Sequence, residues 1–250
     1  MAAMLARRLY STVFWLFLTL SSIALFPVAG LIWALTAPFD PRLVLLHRFT
    51  CFWASLYTWA NPLWPVSIEG RERIDPRTTY VMVANHLSLL DILVLFRLFT
   101  HFKWVSKVEN FKIPCVGWNM RLNRYIPLKR GDRESVREMM AACERTLGEG
   151  NSIMMFPEGT RSKNGVLQPF KTGAFELALR TQNPLLPIVV EGTSNALPKR
   201  GFVLRGHHPI RITVLDPIPP ERFSDVDAKE LTARMHALYS EFLDGGPTPL

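Results

Sequence analysis

The residues best able to do chemistry lie in YVMVANHLSLLD, residues 80–91, where a mostly apolar run stops at Asn85-His86 and a carboxylate, Asp91, follows five positions after the histidine. If a helix begins at Ser88, Asp91 falls in its first turn and reaches back to the loop carrying His86. By accepting a hydrogen bond from one ring nitrogen, the carboxylate fixes the tautomer, leaves the other nitrogen as a base and stabilises the imidazolium that forms when a proton is taken. No protein nucleophile accompanies the pair, because the sequence has no G-x-S-x-G elbow. A substrate hydroxyl fits that role better. The plainer reading of the same residues is a capping box, with Ser88 at the N-cap and Asp91 three positions on, and a hydrogen-bonded histidine at the rim of the core.

A second stretch, FPEGTRS at 156–162, sets a glycine where backbone can approach a ligand. Thr160 and Arg161 add a hydroxyl and a guanidinium suited to a phosphate, and a turn with a surface ion pair is the alternative. Residues 169–173 and LPIVVEGT at 186–193 read as turn and buried strand.

Short β-rich runs at 80–84, 102–105, 125–128, 152–156, 186–190 and 210–215 alternate with helical patterns at 88–99, 132–147, 171–180 and 225–243. In the second helix Val136, Met139, Met140, Cys143 and Leu147 recur at helical spacing. Such alternation predicts an α/β fold, a mixed, mostly parallel sheet flanked by helices. In such sheets the ligand crevice forms at the carboxyl ends of the strands, where His86, Lys129, Arg130 and residues 157–161 fall.

The front of the chain differs. Residues 9–39 hold no charged side chain, more than the roughly 20 residues that cross a bilayer as helix. Arg7 and Arg8 precede them, which predicts a cytoplasmic N-terminus. A cleaved signal peptide fits poorly, because the run is too long and a second uncharged stretch follows at 49–68. That stretch carries Trp53, Tyr57, Trp59 and Trp64, which suit the headgroup level. Prolines flanking Asp40 predict a turn, so the front reads as a membrane-embedded helical hairpin that either spans twice or bends at Pro27 and Gly30 and returns, keeping the rest of the chain cytoplasmic; a single span, which would reverse that, stays open. The expected division is a membrane-associated segment at 1–65, an α/β domain at 66–243 and a flexible tail at 244–250.

A net charge of +8 and a pI near 9.7 favour anionic partners, and with the hairpin present lipid is expected and nucleic acid is not. Arg7, Lys199, Arg200 and Arg205 are candidate contacts to anionic lipid. Cys51, Cys115 and Cys143 form no C-x-x-C, which fits a reduced compartment. No metal site is expected, since H-E-x-x-H is missing and the adjacent His207 and His208 would point to opposite faces of a strand.

NHLSLLD, FPEGTRS and LPIVVEGT, in this order and spacing, resemble the glycerolipid acyltransferase family, most closely its bacterial 1-acylglycerol-3-phosphate acyltransferases; the likeness covers most of 66–219. The resemblance implies transfer of a fatty acyl group from acyl-CoA or acyl carrier protein, as co-substrate and with no cofactor, to the sn-2 hydroxyl of lysophosphatidic acid, giving phosphatidic acid on the cytoplasmic face of the membrane. It makes His86 the base and Asp91 its holder. Glu158, Gly159, Thr160 and Arg161 would bind the acceptor, with Lys107 and Arg130 on its phosphate. Pro187, Gly192 and Thr193 would shape the acyl-donor site. The chain departs from the family pattern at Leu128-Lys129-Arg130, where a lysine precedes the arginine in place of the usual acidic or amide residue, so another lyso-lipid acceptor stays open. A non-catalytic lipid-binding protein would leave the histidine and carboxylate unexplained, and a lipid hydrolase should show a nucleophile elbow or a metal set.

Overall fold

A computed structural model of the chain describes residues 2–162, 165–197, 203–204 and 206–245. Two helices lead, α1 (Ala2–Thr36) and α2 (Val44–Trp59), followed by β1 (Val66–Glu69), β2 (Val81–Ala84), α3 (Leu90–Leu95), β3 (Phe102–Lys107), α4 (Val116–Leu122) and β4 (Ile126–Leu128). The chain continues through α5 (Arg133–Gly148), β5 (Ser152–Met155), α6 (Gly173–Thr181), β6 (Leu185–Glu191), α7 (Thr193–Ala196), β7 (Ile210–Val214) and α8 (Ala228–Leu243).

The strands form one sheet in the order β1-β7-β6-β2-β5-β3-β4. Every neighbouring pair is parallel except β6 with β7. This is the mixed, mostly parallel α/β sheet expected. Its central strands are covered on both sides, which is why they read as near-continuous apolar runs. Alternate side chains point to opposite faces: Met82 and Ala84 join the cluster under α1 to α4, while Val81 and Val83 join the cluster under α5, α6 and α8. On α5 the apolar spacing read from sequence meets the second cluster through Met139, Met140, Cys143 and Leu147, and Asp132 caps the helix by accepting from the Ser135 amide at 3.2 Å.

Several expectations change. The strand β1 has no counterpart among the expected strands; it is a four-residue edge strand with alternating half-buried and exposed residues, too short and too polar to stand out. The helix expected at 88–99 forms only over Leu90–Leu95, then tightens into a 3₁₀ turn that ends at Phe99 with φ +51°. His207 and His208 precede β7 rather than sit on it.

The largest change concerns the hairpin. Its first arm, α1, runs through Pro27 and Gly30 as one helix, and Met4–Thr36 is the one described helix long and apolar enough to cross a membrane. Leu9, Val13, Leu16, Leu20, Ile23, Leu31 and Leu35 are exposed along it. The second arm, α2, is a part of the core. Trp53, Tyr57 and Trp64, expected at a membrane surface, are buried, and only Trp59 of the four is exposed. Tyr57 explains the docking: its hydroxyl receives the Trp53 indole N–H at 2.6 Å and lies 3.0 Å from the Ser22 hydroxyl of α1. One apolar cluster therefore runs from the hairpin into the sheet without a break at residue 65.

Candidate active site

The site begins where β2 stops. Asn85 is fully buried; its side-chain amide donates to the Val190 carbonyl at 2.8 Å and accepts from the Val190 N–H at 2.7 Å. Because the side chain occupies β6 in this way, the backbone of the next residue is free to turn out of the sheet. That residue is His86.

Its Nδ1 lies 2.9 Å from Asp91 Oδ2. The same oxygen accepts the backbone N–H groups of Leu87 at 2.6 Å and Ser88 at 2.8 Å, and Oδ1 accepts the hydroxyl of Thr193. A fully buried carboxylate is costly unless its lone pairs are filled, and here four donors fill them. With the carboxylate at Nδ1, the proton belongs on that nitrogen and Nε2 carries the lone pair. Among the described residues Nε2 has no hydrogen-bond partner. The ring lies flat on Phe156, centroids 3.9 Å apart and planes within 10°. Its tilt is thus set by stacking and its rotation by Asp91.

The FPEGTRS loop braces the histidine from behind. Glu158 is buried; Oε1 accepts the His86 backbone N–H at 2.5 Å and Oε2 accepts that of Gln168 at 3.0 Å. The Ser162 N–H donates to the His86 carbonyl at 2.8 Å. Burial pushes the Glu158 carboxyl up to about 7 against the lowering effect of the His86 and Gln168 amides, and the nearby Asp91 charge adds to the rise. Expected as an acceptor ligand, Glu158 instead has both oxygens engaged with backbone. Ser88, expected as an N-cap, uses its hydroxyl to donate to the Leu197 carbonyl at 2.6 Å and accepts weakly from Leu90 at 3.3 Å. The helix accordingly starts later than the sequence suggested.

Beside this cluster opens a crevice of about 330 Å³ at the carboxyl ends of β3, β4 and β5. Lys107, Arg130 and Lys171 are its cations, and Met139, Met140 and Met155 part of its apolar wall. Phe156 is common to both places, since it lines the crevice and carries the His86 ring. Lys107 is paired with Glu109 at 3.1 Å. The Arg130 guanidinium is shifted downward by partial burial, with the Arg161 charge acting the same way and Glu109 opposing. Arg161 is half-buried and close enough for that effect, while Thr160 is exposed.

Gly159 sits at φ +65°, and a Cβ there would come within 3.0 Å of the Lys171 amine. Glycine thus admits both the left-handed turn and the lysine that lies over it. Lys171 was missed in the sequence, where PFKTG reads only as a turn before a helix. Of the three residues expected around the acyl donor, Pro187 is buried within β6 opposite Val83, Gly192 makes the tight exit from β6 at φ +84°, and Thr193 supports Asp91. None of them lines the crevice. Among the described residues no group of three or more His, Cys, Asp or Glu is placed to hold a metal ion. Lys199, Arg200 and Arg205, candidate lipid contacts, lie outside the described residues, and Arg7 is exposed on α1.

Residues 65–191, about half of the chain, match the family model described as Acyltransferase. The chain belongs to the acyltransferase family. It is 38% identical over 182 residues to the chloroplastic 1-acyl-sn-glycerol-3-phosphate acyltransferase of Arabidopsis thaliana, covering 72% of this chain and 51% of the relative. A 1-acyl-sn-glycerol-3-phosphate acyltransferase of Chlamydomonas reinhardtii is 35% identical over 225 residues, 88% of this chain and 67% of that one. The chain thus spans about half the length of the plant chloroplast relatives it matches. Among solved structures, the family fold is shared with PlsC, the 1-acyl-sn-glycerophosphate acyltransferase of Thermotoga maritima, at a TM-score of 0.75 and 23% identity over 96% of this chain and 97% of that one.

Proposed function

We propose that the protein transfers a fatty acyl group from a thioester, acyl-CoA or acyl-carrier protein, to the sn-2 hydroxyl of 1-acylglycerol 3-phosphate. The observation that carries this reading is the buried His86–Asp91 pair, with one ring nitrogen held and the other open, in a chain whose relatives are named for that reaction.

In this reading His86 Nε2 takes the hydroxyl proton as the alcohol oxygen attacks the thioester carbonyl. Asp91 stabilises the imidazolium, and the imidazolium returns the proton to the departing sulfur as the tetrahedral intermediate collapses. One C–O bond forms, one C–S bond breaks, and the proton passes from alcohol to thiol. No metal or cofactor is required, because the thioester is already activated. Thr193 and Glu158 are positioning residues, the first acting through Asp91 and the second through the His86 backbone. Lys107, Arg130, Lys171 and Arg161 would receive the acceptor phosphate, and Thr160 and Gly159 would border it. The apolar outer face of α1 would lie in the bilayer that supplies the acceptor, with the α/β domain on the cytoplasmic side.

The test is thiol release by the purified chain in detergent, with and without lysophosphatidate. Release that requires the acceptor supports the transferase. Equal release with water alone would make the protein a thioesterase.

A further inference from the structure

A second cavity, of about 300 Å³, opens at the opposite end of the sheet, where β3 and β5 begin. Lys103, Arg124 and Arg145 line it, from β3, the turn after α4 and α5 respectively, together with one carboxylate, the exposed Glu149, and with Pro41 of the hairpin turn. Lys103 is only 3% exposed, and its Nζ donates to the Arg42 carbonyl at 2.8 Å. The other two N–H groups of that ammonium have no partner among the described residues.

The carboxylate that shares the lining, Glu149, forms no ion pair within 4 Å with these cations. None of Lys103, Arg124, Arg145 or Arg42 takes part in an ion pair within 4 Å among the described residues. Asp40 and Glu149 are near enough to favour the charged lysine, but burial, Arg124 and Arg42 outweigh them and bring its pKa down to about 7. A buried ammonium without a close anion is expensive, and two guanidinium groups at the same opening add to the cost. An anion seated between the three would reverse the balance.

We propose that this basal cavity binds a phosphate-bearing anion, held by Lys103, Arg124 and Arg145. Three cations approaching from three elements suit a tetrahedral group with several oxygens, whereas a carboxylate offers two oxygens in one plane. The volume is at the lower end of ligand sites, right for a headgroup or a small phosphate ester. The site is separate from the crevice, since Lys103 and Lys107 stand near opposite ends of β3, roughly 13 Å apart at about 3.3 Å per residue. It does not depend on the proposed reaction. The anion comes either from a soluble phosphate ester or from a phospholipid headgroup, which the exposed Phe39 next to the cavity's Pro41 would bring close.

The experiment uses the full chain in detergent, in an Arg130→Gln/Lys171→Gln background that removes cations of the crevice. Calorimetric titration with glycerol 3-phosphate should show saturable binding, weakened by about tenfold or more when Arg124→Gln/Arg145→Gln is added. Flotation with phosphatidylcholine vesicles, with or without phosphatidylglycerol, forms the second arm, and Arg137→Gln/Arg234→Gln serves as a control of equal charge. Both tested arginines are exposed, so the variant should keep its melting temperature. Loss in the calorimetric arm identifies a soluble phosphate ester as ligand. Loss confined to anionic vesicles, beyond that of the control, identifies a headgroup. If neither arm changes relative to the control, the proposal is overturned.

Discussion

Two buried histidines, His86 and His47, separate what a base needs from what a core needs. His47 on α2 has both nitrogens committed, Nδ1 at 2.9 Å from the Tyr125 hydroxyl and Nε2 at 3.1 Å from the Thr100 carbonyl. Burial first, then the neighbouring His101 and Lys103, push its pKa well below the usual imidazole range. It is a neutral strut between the hairpin and β3. His86 is almost as buried, yet its partner is a carboxylate, its ring is stacked on Phe156, and Nε2 has no partner among the described residues. Burial alone therefore does not mark a functional histidine. The partner's charge and an uncommitted nitrogen do.

The largest effect is expected at Asp91→Asn, which removes the charge and favours the wrong tautomer; turnover should fall on the order of 10³–10⁴-fold with little change in the affinity for lysophosphatidate, read from steady-state thiol release. In His47→Leu the Tyr125 hydroxyl loses its partner in the core, so stability should drop by about 1–3 kcal/mol in urea melts while kcat at low temperature stays near that of the parent. Thr193→Val keeps the shape but leaves Asp91 Oδ1 without its donor. An activity loss of about tenfold is expected, with Thr193→Ser restoring most of it, because a single charge-assisted hydrogen bond is worth roughly 1.5–3 kcal/mol.

The smallest effect concerns Glu158. Its folded pKa of about 7 lies above the ordinary 4.5, so the folded state holds this proton more tightly than the unfolded one. Stability from this group is full below about pH 4.5 and is lost as pH rises through about 7. Glu158→Gln should flatten that part of the stability profile, as measured by urea midpoints at several pH values. A slope unchanged from the parent would remove Glu158 as its source.

Much of this was legible in the sequence, because the central strands and α5 follow strong local rules: apolar runs in one case, apolar residues at helical spacing in the other. The His86–Asp91 pair was legible because both members lie in one loop and helix turn. Thr193 as the second support of Asp91 was not, since the two are 102 residues apart and meet only when β6 pairs with β2. Glu158 was expected as a ligand from the resemblance of FPEGTRS to the family motif, and in sequence a carboxylate after a strand looks the same whether it faces a crevice or a neighbouring amide. The aromatic residues of α2 were misplaced for a related reason. A segment apolar enough for a bilayer is also apolar enough for a core, and only the docking of Tyr57 against Ser22 and Trp53 decides between them.

The most direct measurement is acceptor-dependent thiol release by His86→Ala and His47→Leu side by side, with folding checked by circular dichroism. Turnover should be reduced at least ~10²-fold in the first and nearly unchanged in the second. Comparable turnover in the folded His86→Ala protein and the parent would contradict it.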